Sequence, residues 1–268
     1  MNKAAFFEKV KEYKLLAKKE VGQNFLIDPQ VAEATVNALQ IQAGERILEI
    51  GPGAGSLSVF IADYPNEADL VDIDEALITK LSGDFEGNKQ IHPIKGNAIK
   101  HDLSSYEKII GNLPYYITSS LIEHALLDAP RCSRAVFMVQ KEAFARLVAK
   151  QGSEDYGPLP ILMKYLGIAK KELAVPRSAF VPAPHVDSVV FSFTFNAGVD
   201  REKAKRIYAF VSQLFLHRRK TILNNLSSYL KDPDSAKEAL AQAGIRPETR
   251  PESISVEEFV ALFGVVKK

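Results

Sequence analysis

The stretch Gly111-Asn112-Leu113-Pro114-Tyr115-Tyr116 places an amide, a carbonyl ahead of a proline and an aromatic ring in direct succession. The ring of Pro114 pushes Leu113 to extended geometry, so the Leu113 carbonyl and the Asn112 side chain can face one point. Two acceptors beside an aromatic face suit a planar ring that carries an amino group. The acceptors take its N–H hydrogens, and Tyr115 stacks on the ring. The same residues also read as a proline-containing loop capped by asparagine, and taken alone they do not separate the two readings.

Such a site needs rigid elements on either side. Tyr106–Gly111 reads as a short buried strand, β-branched and apolar, broken by the glycine. Further back, the apolar strand Arg46–Ile50 runs into Gly51-Pro52-Gly53-Ala54-Gly55. Glycines at a strand exit let the backbone approach a ligand closely. Asp72 follows about twenty residues on, where a carboxylate can take both hydroxyls of a ribose. That pair fits a dinucleotide as well as another adenosine cofactor. Two details lean away from a dinucleotide: Ser56 stands where a third glycine would fall, and Glu49 sets a carboxylate beside the loop. A carboxylate repels a pyrophosphate and suits a ligand with an amino or sulfonium group. With no G-x-x-x-x-G-K-[ST], a P-loop nucleotide triphosphatase is not expected.

The remaining elements alternate. Asp28-Pro29 opens a helix. Leu57–Ala62 reads as a helix, Leu70–Ile73 as a strand, and Glu75 to about Leu81 as a helix. Gln90–Lys95 is a strand, Ser119–Leu127 a helix, Arg134–Gln140 a strand and Lys141–Lys150 a helix. This alternation predicts an α/β fold, a parallel sheet with helices on both faces. Tyr165–Val175 and Asp187–Phe195 are expected as a closing antiparallel pair, joined by the proline-rich loop Phe180-Val-Pro-Ala-Pro-His. Past the polar break Asn196–Asp200 the pattern is helical: Arg201–Leu216, Thr221–Leu230, Ser235–Ala243, and a last helix from near Ser255. The expected domains are therefore residues 1–196 and a small helical domain over 197–268.

The composition bounds the function. A 268-residue chain with 46% hydrophobic and 25% charged residues is ordinary for a soluble globular protein. No apolar run approaches the ~18 residues of a membrane span. The start of the chain lacks the marks of a signal or transit peptide. One cysteine, Cys132, fits a reducing compartment, and the cytoplasm is expected. The net charge of +1 hides uneven patches. Lys18 and Lys19 precede the first motif. Arg131, Arg134, Lys141, Arg146 and Lys150 form one cluster, and Arg201 to Lys220 holds another. Such faces suit phosphate contacts or are solvated helix surfaces. The five histidines show no metal-ligand spacing with Cys132 or one another, so no metal is expected.

Taken in order, Gly22-Gln23-Asn24-Phe25-Leu26, Glu49-Ile50-Gly51-Pro52-Gly53, Asn112-Leu113-Pro114-Tyr115 and Phe180-Val-Pro-Ala-Pro-His-Val-Asp-Ser resemble the S-adenosylmethionine-dependent ribosomal RNA adenine dimethyltransferases. The small-subunit branch is the nearest. Gln140-Lys-Glu and His217-Arg-Arg-Lys-Thr-Ile-Leu-Asn-Asn-Leu are also similar to that family, and the resemblance runs from about Lys19 to the end. It implies a Rossmann-like class-I methyltransferase sheet and a small all-helical C-terminal domain. The cofactor S-adenosylmethionine would be held by Gln23, Asn24, Leu26, Glu49, Gly51, Gly53, Asp72, Asn97 and Asn112. Asp72 would bind the ribose, and Asn97 the adenine amino group. The family usually has Asp at that last position, so weaker cofactor binding is expected here. Tyr116 also departs from the pattern, standing where Asn is often found.

The reaction implied is transfer of methyl groups to N6 of adjacent adenosines in a 3′-terminal hairpin loop of small-subunit, 16S-type ribosomal RNA during ribosome biogenesis. Asn112, Leu113, Pro114 and Tyr115 would hold the target base, and Phe180 would close a sandwich with Tyr115. On the residues alone, Phe180 reads as a loop aromatic filling the core. Arg146, Arg218, Arg219 and Lys220 would contact RNA, the last three where they adjoin an apolar helical stripe. The partner implied is the small ribosomal subunit, and a monomer is expected. Three other readings stay open: a large-subunit methyltransferase of the macrolide-resistance type, an assembly factor with little catalysis, and an NAD-dependent dehydrogenase resting on the glycine loop alone.

Overall fold

The structure, a computed structural model, describes residues 2–12 and 23–266. Lys18, Lys19 and Gly22 of the sequence reading lie outside the described residues. In chain order the elements begin with α1 (Lys3–Glu12), β1 (Phe25–Leu26), α2 (Pro29–Asn37), β2 (Ile47–Ile50), α3 (Ser58–Ile61), β3 (Ala68–Asp72), α4 (Glu75–Asp84) and β4 (Ile91–Lys95). They continue with β5 (Lys108–Asn112), α5 (Thr118–Asp128), β6 (Arg134–Gln140), α6 (Lys141–Leu147), α7 (Pro158–Leu166), β7 (Gly167–Val175), β8 (Phe180–Val181) and β9 (Ser188–Phe195). The last are α8 (Arg201–Leu214), α9 (Ile222–Leu230), α10 (Pro233–Gln242) and α11 (Val256–Val266).

The starts of the helices follow local chemistry. Asp28 caps α2 by accepting from the amides of Gln30 (2.9 Å) and Val31 (3.2 Å), with Pro29 at the first helical position. Asp74 and Asp200 cap α4 and α8 in the same way. The strands β2 and β3 are buried almost throughout, as strands covered on both faces must be.

Seven strands form one sheet in the order β4-β3-β2-β5-β6-β9-β7. The strands from β4 to β6 pair in parallel. Strand β9 runs antiparallel to β6, from Arg134 opposite Thr194 to Gln140 opposite Ser188. The connection order reverses between β2 and β5, and in open α/β sheets ligands bind in the crevice beyond the strand ends at such a point. A second, two-stranded sheet pairs β1 with β8 antiparallel, Leu26 opposite Phe180. Gly111 makes the close packing of β5 on β2 possible. A Cβ at Gly111 would lie 2.5 Å from the Ile50 carbonyl oxygen.

The chain divides into two compact units, residues 1–144 with 169–195, and residues 145–168 with 196–268. The first holds the sheet and a core to which α1 adds Phe6, Phe7 and Val10. The second is helical. Its core joins Tyr156 and Ile161 to Phe210, Leu214, Leu226, Leu240, Phe259 and Phe263. The expected boundary at residue 196 therefore needs a correction. Residues 145–168 fall in the helical unit, where Tyr156 and Ile161 are buried in its core. Within this segment α7 takes Tyr165 and Leu166, which the sequence pattern assigns to a strand. Pro158 and Pro160 signal a loop, yet in the first turn of a helix a proline loses no hydrogen bond. No helix among the described residues is long and apolar enough to cross a membrane.

Candidate active site

The crevice between the ends of β2 and β5 opens into a cavity of about 340 Å³. Of the sequence-predicted residues, Gln23, Asn24, Leu26, Glu49, Gly51, Gly53, Asp72, Asn97, Asn112, Leu113, Pro114 and Tyr115 all line it. They arrive from the ends of β1, β2, β3, β4 and β5 and from the segment before β1.

The glycine loop is held on both sides. Gly51, with φ +65°, donates its amide to the Val71 carbonyl at 2.9 Å. The amide of Gly53 approaches Asp72 Oδ2 at 3.3 Å, and the amide of Asp74 donates to Asp72 Oδ1 at 2.9 Å. Burial pushes the Asp72 carboxyl above its ordinary range, and these two amides pull it back. Ser56 is no accident of spacing: its hydroxyl donates to the Leu26 carbonyl at 2.6 Å and ties the loop to β1. Lys80 Nζ donates to the Ala54 carbonyl at 3.1 Å from the other side.

Glu49 behaves differently from the sequence expectation. It is 1% exposed, and Ser58 Oγ donates to its Oε2 at 2.6 Å. Burial drives its carboxyl up to about 8; the Ser58 hydroxyl opposes this, and the nearby Asp72 charge adds to it. At neutral pH Glu49 keeps its proton unless a cation is placed beside it. Nothing in the spacing of the sequence revealed Ser58 as its partner.

Asn112 closes the end of β5. Its side-chain Nδ2 donates to the Asn24 carbonyl at 3.2 Å, which fixes the amide and leaves Oδ1 as the acceptor at the cavity. Leu113 donates its amide to the Met138 carbonyl at 3.0 Å. Pro114, at φ −60° and ψ 133°, turns the chain into a single-turn 3₁₀ helix over Tyr115–Ile117. The Tyr115 hydroxyl lies 3.5 Å from Ser188 Oγ. Burial raises its pKa, so the phenol stays neutral.

Phe180, Asn97 and the segment 218–220 stand apart from the cavity-lining set. Phe180 does not line the cavity: it is 3% exposed, packed in the core of the first unit with β8 paired to β1. There it pairs with Leu26 across the two-stranded sheet, as a core aromatic would. Asn97 uses Oδ1 to cap a short 3₁₀ helix, accepting from the Ile99 amide at 3.0 Å, so its amino group is the arm left free. Arg218, Arg219 and Lys220 lie in the turn after α8, which ends at Leu214, and not in a helix. Arg218 Nη2 donates to the carbonyls of Glu154 (2.6 Å) and Tyr156 (2.9 Å), bracing the second unit. Arg219 and Lys220 are exposed. Arg146 Nε lies 3.7 Å from Asp155 Oδ1. The turn is clamped by buried Asn225, whose Nδ2 reaches the carbonyls of His217 (3.2 Å), Lys220 (3.5 Å) and Thr221 (3.2 Å).

A family model described as "Ribosomal RNA adenine dimethylase" matches residues 14–268. The chain belongs to the ribosomal RNA adenine dimethylase family. It is thus a methyltransferase of the class-I kind. Relatives of this dimethylase include the "Ribosomal RNA small subunit methyltransferase A" of Streptococcus thermophilus, 34% identical over 94% of this chain and 92% of the relative. The protein of that name from Moorella thermoacetica is also 34% identical, over 94% and 93%. Among solved structures, a dimethyladenosine transferase from Plasmodium falciparum superposes with a TM-score of 0.75 at 25% identity, covering 89% of this chain and 95% of that one. The 23S rRNA methyltransferase ErmE shares the fold, with a TM-score of 0.67 at 24% identity over 91% and 100% of the two chains.

Proposed function

We propose that this dimethylase adds two methyl groups to N6 of adenosines in small-subunit ribosomal RNA, with S-adenosylmethionine as donor. The observation that carries the reading is the fixed amide of Asn112. With Nδ2 committed to Asn24, the side chain can only offer oxygen to the target. The small-subunit assignment rests on the relatives of that name, which align over nearly the whole chain.

The cavity fits the donor. Its floor is a glycine loop whose positive φ angles bring backbone close to a ligand, and Asp72 stands at the edge of that loop, where it can take the ribose hydroxyls. Glu49 answers a positive charge by ionising. Bound S-adenosylmethionine supplies an activated methyl group on a sulfonium. Everything else falls to the chain's own residues. The lone pair of an adenine N6 is delocalised into the ring, which makes it a poor nucleophile. Asn112 Oδ1 and the Leu113 carbonyl take its two hydrogens and favour a pyramidal nitrogen. Tyr115 offers its ring as the stacking face for a base that has left its own stack. The surplus proton leaves after transfer from the cationic product, so catalysis is positioning and electrostatics. After the first methyl one N–H remains, and a single acceptor still orients it.

The test is transfer of labelled methyl from S-adenosylmethionine to unmethylated small and large ribosomal subunits, followed by nucleoside analysis. N6,N6-dimethyladenosine in small-subunit RNA alone is expected. Label in large-subunit RNA, or none in either, would overturn the proposal. Replacing Asn112→Ala should lower kcat by roughly a hundredfold or more, the scale for removing one preorganised polar group, while leaving subunit binding in place.

A further inference from the structure

Among the described residues, the large hydrophobic side chains left exposed are Ile73, Tyr116, Val148, Ile168 and Leu216, and Tyr116 is the aromatic one. Its residue is 63% exposed, yet it lines the cavity beside Tyr115. The 3₁₀ helix Tyr115–Ile117 explains how both can be true. With about three residues per turn, successive side chains point about 120° apart from Cα atoms about 3.8 Å apart. Tyr115 is turned inward, its hydroxyl near Ser188. Tyr116 is turned to solvent at the mouth of the same cavity. The Tyr116 hydroxyl has no hydrogen-bond partner among the described residues, so what the residue presents is a ring face.

A nucleotide whose base enters the cavity leaves its neighbour at the mouth. That neighbour loses the stacking it had on the extruded base, a cost that an aromatic surface can offset. We propose that Tyr116 stacks on the nucleobase flanking the target adenosine and holds the RNA strand at the cavity mouth. The inference rests on the functional reading above and adds to it a second aromatic position, outside the pocket. Tyr116 is then a positioning residue for the RNA substrate and plays no part in holding the cofactor. Stacking accepts any base, so the contact orients the strand without reading its sequence.

The chain contains no tryptophan, so Tyr116→Trp installs a single reporter. Its fluorescence should change on titration with a short adenosine-containing RNA oligonucleotide, and not with S-adenosylmethionine alone. In steady-state assays Tyr116→Ala should raise KM for the small subunit roughly five- to a hundredfold, the range for one base–aromatic stack. Tyr116→Phe should restore it, because the ring is what acts. The KM for S-adenosylmethionine should move by less than about twofold. A wild-type chain that transfers methyl normally, with an unchanged RNA KM in Tyr116→Ala, would sink this inference alone. So would an effect confined to S-adenosylmethionine, which would make Tyr116 a cover over the cofactor. A wild-type chain that methylates no RNA would remove the functional reading and this inference together.

Discussion

Asn112 and Asn97 carry the same side chain and are fixed in opposite senses. Asn112 gives its amino group to Asn24 and keeps an oxygen for the site; Asn97 gives its oxygen to the Ile99 amide and keeps an amino group. An adenine amino group needs an acceptor, which the second arm of an aspartate would supply. Asn97→Asp should therefore tighten S-adenosylmethionine binding by roughly ten- to a hundredfold in a calorimetric titration, the worth of one hydrogen bond to a charged group. Unchanged or weaker binding would mean that the amide donates to a ring nitrogen instead. Glu49 gives a pH dependence whose sign is fixed. Its carboxyl titrates near 8 in the folded chain and near 4.5 unfolded, so between those values the folded state holds a proton that the unfolded state has shed. Stability at this group is full below pH 4.5 and declines as pH rises towards 8. A bound cation favours the ionised form, so affinity for S-adenosylmethionine should rise from about pH 6 to 8 and then level off. Glu49→Gln should flatten that profile in the same titration; a wild-type profile that is already flat would contradict the assignment.

At the scale of elements, the sequence pattern was most legible where burial is complete. β6 spans Arg134–Gln140 as read, and β2, β3 and β5 differ from their expected bounds by only one or two residues, because a strand covered on both faces is a largely continuous apolar run. The glycine loop and Asn112 were legible for the same reason: they end such runs. What the pattern could not show was which partner each polar group takes across the fold, such as Ser56 on Leu26, Ser58 on Glu49, or the Asn24 carbonyl on Asn112. The turn that holds Arg218 to Lys220 is another such case. The apolar spacing continues through Phe215 and Leu216, and nothing in it shows that the buried Asn225 amide, eight residues after His217, holds three carbonyls of the turn. Asn225→Asp removes those donors and brings a carboxylate against carbonyl oxygens. It should cost about 1–3 kcal/mol of stability and more when the carboxylate is ionised. If this turn contacts phosphate, the same change should weaken RNA binding and make its salt dependence shallower, which a filter-binding series over salt concentration would read. An unaltered melting temperature would show that the clamp is dispensable.

At the scale of the whole molecule, the chain leaves the sheet after β6, builds part of a second core, and returns to lay down β7 and β9 before completing that core with α8 to α11. Tyr156 and Ile161 belong to this helical core, and the carbonyls of Glu154 and Tyr156 receive Arg218. A boundary drawn at residue 196 looks natural in the sequence, since strands stop there and helices follow, but it cuts one packed unit in two. A chain ended at residue 196 would keep α7 without the helices that bury it. Its apolar residues Ile161 and Tyr156 would be left to water at roughly 1.5–3 kcal/mol for each side chain exposed. Such a fragment should bind a hydrophobic dye, associate at micromolar concentration and melt over a broad range, whereas the full chain should bind little dye and melt sharply. Its ability to bind S-adenosylmethionine should fall less than its solubility, because every residue lining the cavity lies in the first unit. A fragment over residues 1–196 that stayed monomeric, dye-free and cooperative would show that residues 145–168 fold with the sheet. The division drawn from compactness would then have to be given up.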